Sequence, residues 1–110
     1  MTLNEILVRC SKLKIHEERS INDEYYELVI YNRDIGEWQK IFNEILGEPR
    51  KPKGVEPSKD DLDLTKASGG IRINQTLYEK KFEDVIIIAK FWPWDDDVHT
   101  TLKMALLNTP

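Results

Sequence analysis

Hydrophobic positions along this chain change their period several times, and each change predicts a different element. Leu3, Ile6, Leu7, Cys10 and Leu13 recur at helical intervals, and Thr2-Leu3-Asn4-Glu5 has capping-box spacing, so a first helix is expected over residues 2–13. A strand through Ile6, Val8 and Cys10 is the rival, and it would leave the capping pattern unused. Residues 14–24 are polar, with His16, Glu17, Glu18 and Arg19 in succession, and they end in the turn-forming pair Asn22-Asp23. They read as a connection. Residues 25–32 read as a strand, with Tyr26, Leu28 and Ile30 on one face and Glu27 on the other.

Helical spacing returns at Ile35, Trp38, Ile41, Phe42, Ile45 and Leu46, preceded by a cap at Asp34 and ended by Gly47 and Pro49. This second helix should lay Trp38, Phe42 and Ile45 against a sheet. Each large side chain fully buried contributes roughly 1.5–3 kcal/mol, so Trp38→Ala is the change expected to damage the fold most. Residues 48–70 hold three of the five prolines and read as a long connection. Within it, Ser58 caps a short third helix through Asp60, Asp61 and Lys66, stopped by Gly69-Gly70.

The remaining forty residues read as an antiparallel meander. Ile71, Ile73, Gln75 and Leu77 alternate with polar neighbours as a strand, and Glu79-Lys80-Lys81 reads as its turn. Val85 to Ala89 is apolar on both faces, which predicts a central strand covered on both sides. Trp92-Pro93-Trp94 should break the ladder, because proline donates no hydrogen bond. Val98, Thr100, Leu102, Met104 and Leu106 alternate as a closing strand, although a helix capped by Asp97 fits nearly as well. The expected architecture is a single α+β domain over residues 1–110. It has about four mainly antiparallel strands, two main helices on one face, and a long connection carrying a short third helix.

Composition narrows the class. The chain has 110 residues, 40% hydrophobic and 33% charged, which suits one soluble core. Its longest apolar run spans only Val85 to Ala89, far short of the ~20 residues that cross a bilayer. A net charge of −4 repels a phosphate backbone unless Arg50, Lys51, Lys53, Lys59 and Arg72 gather on one face, so nucleic acid is disfavoured. Cys10, the only cysteine, forms no intrachain disulfide, and the first residues lack a basic, then apolar, secretory pattern. A cytoplasmic setting is expected.

Chemistry-bearing motifs are few. Trp92-Pro93-Trp94-Asp95-Asp96-Asp97 with His99 is the most unusual cluster, and Asp95, Asp97 and His99 at alternate positions could meet a hard cation. The rest of a calcium loop is missing, with Thr100 and Leu106 at the positions of its glycine and bidentate glutamate, so a solvated acidic turn is the plainer reading. His16-Glu17-Glu18 opens like a zinc-protease helix, but Ser20 stands where the second histidine belongs. No metal or cofactor is expected. Cys10 lies on an apolar helix face, where a thiolate is disfavoured, and Ser68-Gly69-Gly70 lacks a nucleophile-elbow pattern. Arg50, Lys51 and Lys53 make a local basic patch without any phosphate-loop pattern.

Two functional classes follow. The first is a non-enzymatic binding domain acting as a homodimer, because Val85 to Ala89 needs a second cover that a twin subunit would supply. Tyr25, Tyr26 and Tyr31, on both faces of one strand, leave room for a sheet face offered to a protein partner. The alternative is a small ligand-binding protein or enzyme with its site between residues 48–70 and the turn at residues 92–99. There Arg50 and Lys53 would hold an anion beside Trp92 and Trp94, with Asp95, Asp97 or His99 in acid-base or cation-binding roles.

Overall fold

A computed structural model describes residues 1–108. Helix α1 (Leu3–Arg9) opens the chain, with the Thr2 hydroxyl accepting from the Glu5 amide at 3.1 Å. The expected helix is longer. At Cys10 the backbone leaves helical geometry, and a turn from Cys10 carbonyl to Leu13 amide carries Leu13 onto the same core.

Strands β1 (Ile15–Ile21) and β2 (Tyr25–Tyr31) form the first hairpin. Strand β1 replaces the expected polar connection, and its outer position explains why the pattern hid it. An edge strand exposed along most of its length has no apolar face to betray it, and its charges discourage pairing with another chain. Asn22 shapes the hairpin turn, its side-chain oxygen accepting from the Glu24 and Tyr25 amides at 2.9 Å.

A 3-10 turn then leads into α2 (Ile35–Leu46), which ends at Gly47 with φ of 82°. Asp34 occupies the cap position but makes no capping bond, contrary to its spacing. Helix α3 (Lys59–Thr65) has the full capping box, Ser58 and Asp61 each bonding the other's amide.

Strands β3 (Thr76–Phe82), β4 (Val85–Pro93) and β5 (His99–Asn108) complete a five-stranded antiparallel sheet, not a four-stranded one. Its order is β1-β2-β5-β4-β3, which makes β5 the middle strand and β4 its neighbour. Three boundaries differ from the pattern. Residues 71–75 lie outside β3, because a turn from Arg72 to Gln75 exposes Ile73 while Ile71 stays buried. Strand β3 continues through Glu79 to Phe82, and the chain reverses at Glu83, whose φ is 52°. Strand β4 runs through Trp92 to Pro93, opposite Thr100, so the missing proline donor falls harmlessly at the strand's end.

Alternation assigns the two sheet faces. The first carries Tyr26, Leu28, Ile30, Tyr78, Ile87, Ala89, Phe91, Leu102 and Met104, and packs against Leu3 and Ile6 of α1 and Trp38, Phe42 and Ile45 of α2. The second buries Leu77, Ile88 and Ala105 beneath Ile71, with Leu64 of α3 at the margin. The second cover that β4 needs is thus supplied, over Ile88, by the chain's own long connection.

Two buried lysines hold that connection. Lys51 Nζ donates to the carbonyls of Pro52, Ile73 and Gln75 at 2.9, 3.1 and 2.5 Å, and its backbone bridges Leu77. Lys90 Nζ donates to the carbonyls of Ser68 and Gly70 at 2.5 and 2.8 Å. An ammonium carries three donors, so one lysine can satisfy several loop carbonyls that secondary structure leaves open.

Candidate functional site

The sequence Phe91-Trp92-Pro93-Trp94 splits by strand alternation onto opposite faces of the sheet. Phe91 joins the helix-covered core, whereas Trp92 and Trp94 line a cavity of about 290 Å³ on the second face, with Arg19, Glu27, Thr101 and Lys103. Register fixes this grouping. Trp92 on β4 pairs with Thr101 on β5, which pairs with Val29 on β2. One step along, Lys90 pairs with Lys103, which pairs with Glu27.

Cations cover both indoles. Lys103 Nζ lies 4.6 Å from the Trp92 ring centroid and the Arg72 guanidinium 5.8 Å, while the Arg19 guanidinium lies 5.3 Å from Trp94. Such contacts are worth ~0.5–1 kcal/mol when exposed and more when desolvated. The Trp94 indole also donates to the Thr101 hydroxyl at 2.7 Å, which fixes its ring plane. Arg19 is partly neutralised by Glu17 at 2.6 Å and Glu27 at 3.7 Å. Lys103 makes no ion pair among the described residues. It faces Lys90 across the ladder, and like charges directly opposite destabilise a sheet. Burial, with Lys103 as the next cause, brings Lys90 down to about 8.

Other sequence candidates fall elsewhere. Arg50 is held by Asp61 at 2.6 Å and Glu79 at 2.9 Å, which ties the connection to β3 and satisfies its charge. Lys53 lines a separate cavity on the first face, beside Pro93 and Thr100. Asp95 and Asp97 are exposed, and Asp97 has φ of 58°. Asp96 is the turn's organising carboxylate. Its Oδ1 accepts from the Val98 and His99 amides at 2.9 Å, and its Oδ2 meets His99 Nδ1 at 2.6 Å, which holds the carboxyl down at about 2. The His99 ring lies 4.4 Å from His16 and 5.0 Å from Trp94, centroid to centroid, tilted by about 45° to each. Among the described residues no group of three or more histidines, cysteines or carboxylates converges as a metal site. Cys10 is buried, and desolvation pushes its thiol up to about 11, which opposes nucleophilic use at neutral pH.

The five basic residues that a nucleic-acid surface would require do not gather. Arg50 is ion-paired, Lys51 is buried, Lys53 lines the first-face cavity, Lys59 opens α3 and Arg72 lies over Trp92 on the second face. Arg19 was hidden because its strand shows no apolar alternation, and Lys103, nine residues beyond Trp94, because it lies on the face of the closing strand opposite its apolar positions. Strand parity was the available signal: Lys103 shares a face with Thr101 and Ala105. Compared with protein-family models, curated proteins and solved structures, the chain matches none.

Proposed function

We propose that this chain is a non-enzymatic binding domain whose recognition surface is the tryptophan end of the second sheet face, and that its partner is a protein segment presenting carboxylates beside aliphatic groups. The observation that carries this reading is Lys103, a half-buried cation opposite Lys90 with no carboxylate within ion-pair distance. In a chain of net charge −4, three further basic groups, Arg19, Arg72 and Lys90, cluster around it. A bound carboxylate would relieve their mutual repulsion, and the indoles would offer flat apolar contact. No helix of the described residues is long and apolar enough to cross a membrane. A cytoplasmic setting belongs to the same reading, supported by the single buried thiol of Cys10.

Tryptophan fluorescence tests it. A short peptide alternating glutamate with leucine should change the emission, with a response that fades as sodium chloride approaches about 0.5 M. Lys103→Gln should weaken binding about tenfold, close to 1.4 kcal/mol, while removing the repulsion with Lys90. An equal response to a lysine-leucine peptide, or tighter binding of a single-stranded oligothymidine, would count against the reading.

A homodimer is proposed on a different observation, at the other end of the same face. Leu64, Ile86 and Leu107 line an open groove of about 1000 Å³ whose rim carries Lys66 beside Asp60 and Asp63. A rim of both signs suits a two-fold interface, in which each patch must complement itself.

A further inference from the structure

We propose that the cavity beneath the first turn of α2, on the opposite face from the tryptophan surface, binds a small organic carboxylate with an apolar body. It has a volume of about 310 Å³, at the lower end of the ~300–1,000 Å³ usual for ligand pockets. Its floor is built by register: Thr76 on β3 pairs with Phe91 on β4, and Pro93 on β4 pairs with Thr100 on β5. Ile35 and Gln39 from α2 form the roof, and Lys53 from the long connection closes one side.

The polar groups lining this space are left over after the protein's own hydrogen bonds are made. Thr76 is only 6% exposed, yet its hydroxyl meets no partner among the described residues. The surface that this hydroxyl keeps opens into the cavity, where it is free to bond an occupant. Gln39 and Lys53 likewise make no side-chain hydrogen bond or ion pair among the described residues. Thr100 donates to Asn32 Oδ1 at 2.6 Å, which commits that oxygen as acceptor and leaves the Asn32 amide nitrogen as a donor.

Lys53 is the one charged side chain that lines the cavity. A hydroxyl, two amides and an ammonium can donate, and no aspartate or glutamate lines the cavity, although the chain holds twenty. The Thr76 hydroxyl and the Gln39 side chain can accept as well as donate, so it is the unpaired Lys53 ammonium that favours an anion. Phe91, Pro93 and Ile35 supply apolar and aromatic contact, which favours a carboxylate on a hydrocarbon or aromatic body over a bare inorganic ion.

Benzoate is the probe, titrated into the full chain and followed by amide shifts in two-dimensional nitrogen-proton NMR. The expected result is saturable, millimolar binding, with the largest shifts at Thr76, Thr100 and the Gln39 side chain. Lys53→Met, at an exposed position, should weaken it about tenfold, and Thr76→Val about fivefold. Benzyl alcohol, which lacks the charge, should bind at least about tenfold more weakly. Absence of shifts at these positions, equal binding of benzyl alcohol, or equal binding of inorganic phosphate would overturn the proposal. The tryptophan-face variant Lys103→Gln should leave benzoate binding unchanged, so this site and the peptide surface stand or fall separately.

Discussion

Lys90 illustrates how much one side chain decides. Strand parity places it on the second face between Ile88 and Trp92, and the loop carbonyls of Ser68 and Gly70 close over its ammonium. Desolvation brings its titration from 10.5 to about 8. Between those values the unfolded chain holds a proton that the native state has released, so unfolding takes up a proton and stability rises with pH. Chemical denaturation of the parent and of Lys90→Met at pH values from about 8 to 10 should show this. The parent should gain up to ~2–3 kcal/mol relative to the variant across the window, and parallel profiles would contradict it. Burial keeps the Cys10 thiol protonated up to about 11 within that range and the Tyr78 hydroxyl up to about 12 above it, effects of opposite sign that make the comparison with the variant necessary. The same residue scale explains His99. The sequence offers it as a possible ligand, but the Asp96 carboxylate takes its Nδ1, and its ring packs at a tilt against His16 and Trp94.

Among the elements, α2 carries the first-face core. Trp38 is fully buried and its indole nitrogen meets no acceptor among the described residues, so its value lies in packing and not in polar contact. Phe42, one turn on, meets Tyr78 and Phe91 edge to face with centroids 5.8 and 5.3 Å away. Trp38→Ala should therefore cost about 3–5 kcal/mol, read as a lower urea midpoint with an unchanged denaturant slope. A loss below about 1 kcal/mol would mean that α2 is held by something else. Strand β1 is the contrasting element. It has no fully buried residue, two irregularities in its register with β2, and a place at the sheet's edge, so it is held by backbone pairing, by Ile15 at the margin of the first-face core, and by the contacts of His16 with Tyr31 at 3.0 Å and of Arg19 with Glu27 at 3.7 Å.

On the scale of the whole molecule, the sheet has one face closed by two helices and another closed only in part. Ile71 and α3 cover the middle of the second face, leaving a cationic tryptophan end and an apolar end around Ile86 and Leu107. The proposed dimer uses the apolar end. Light scattering after size exclusion should report a dimer at micromolar concentration, and Leu107→Lys should shift it to monomer without loss of fold. A monomer at all concentrations would remove the dimer and leave the peptide surface untouched, since the two lie at opposite ends of β4 and β5.

Helices α2 and α3 and strands β2 and β4 were legible in the sequence, β3 only in part and β5 only as one of two options, because hydrophobic period, capping residues and turn chemistry act over a few neighbouring positions. Even the parity that places Trp92 and Trp94 on one face was there to be read. What lay beyond it was everything that depends on partners distant in the chain. Strand β1 shows no apolar alternation because an edge needs none. The reversal at Glu83 lacks the usual glycine signal, and Lys51 and Lys90 look solvated until a loop folds over them. Arg50 and Lys53, three positions apart in sequence, part company because one finds Asp61 and Glu79 while the other reaches a cavity beneath α2. Local physics sets which elements form; only the register of the sheet and the path of the long connection decide which charges stay unpaired, and those are the ones available for binding.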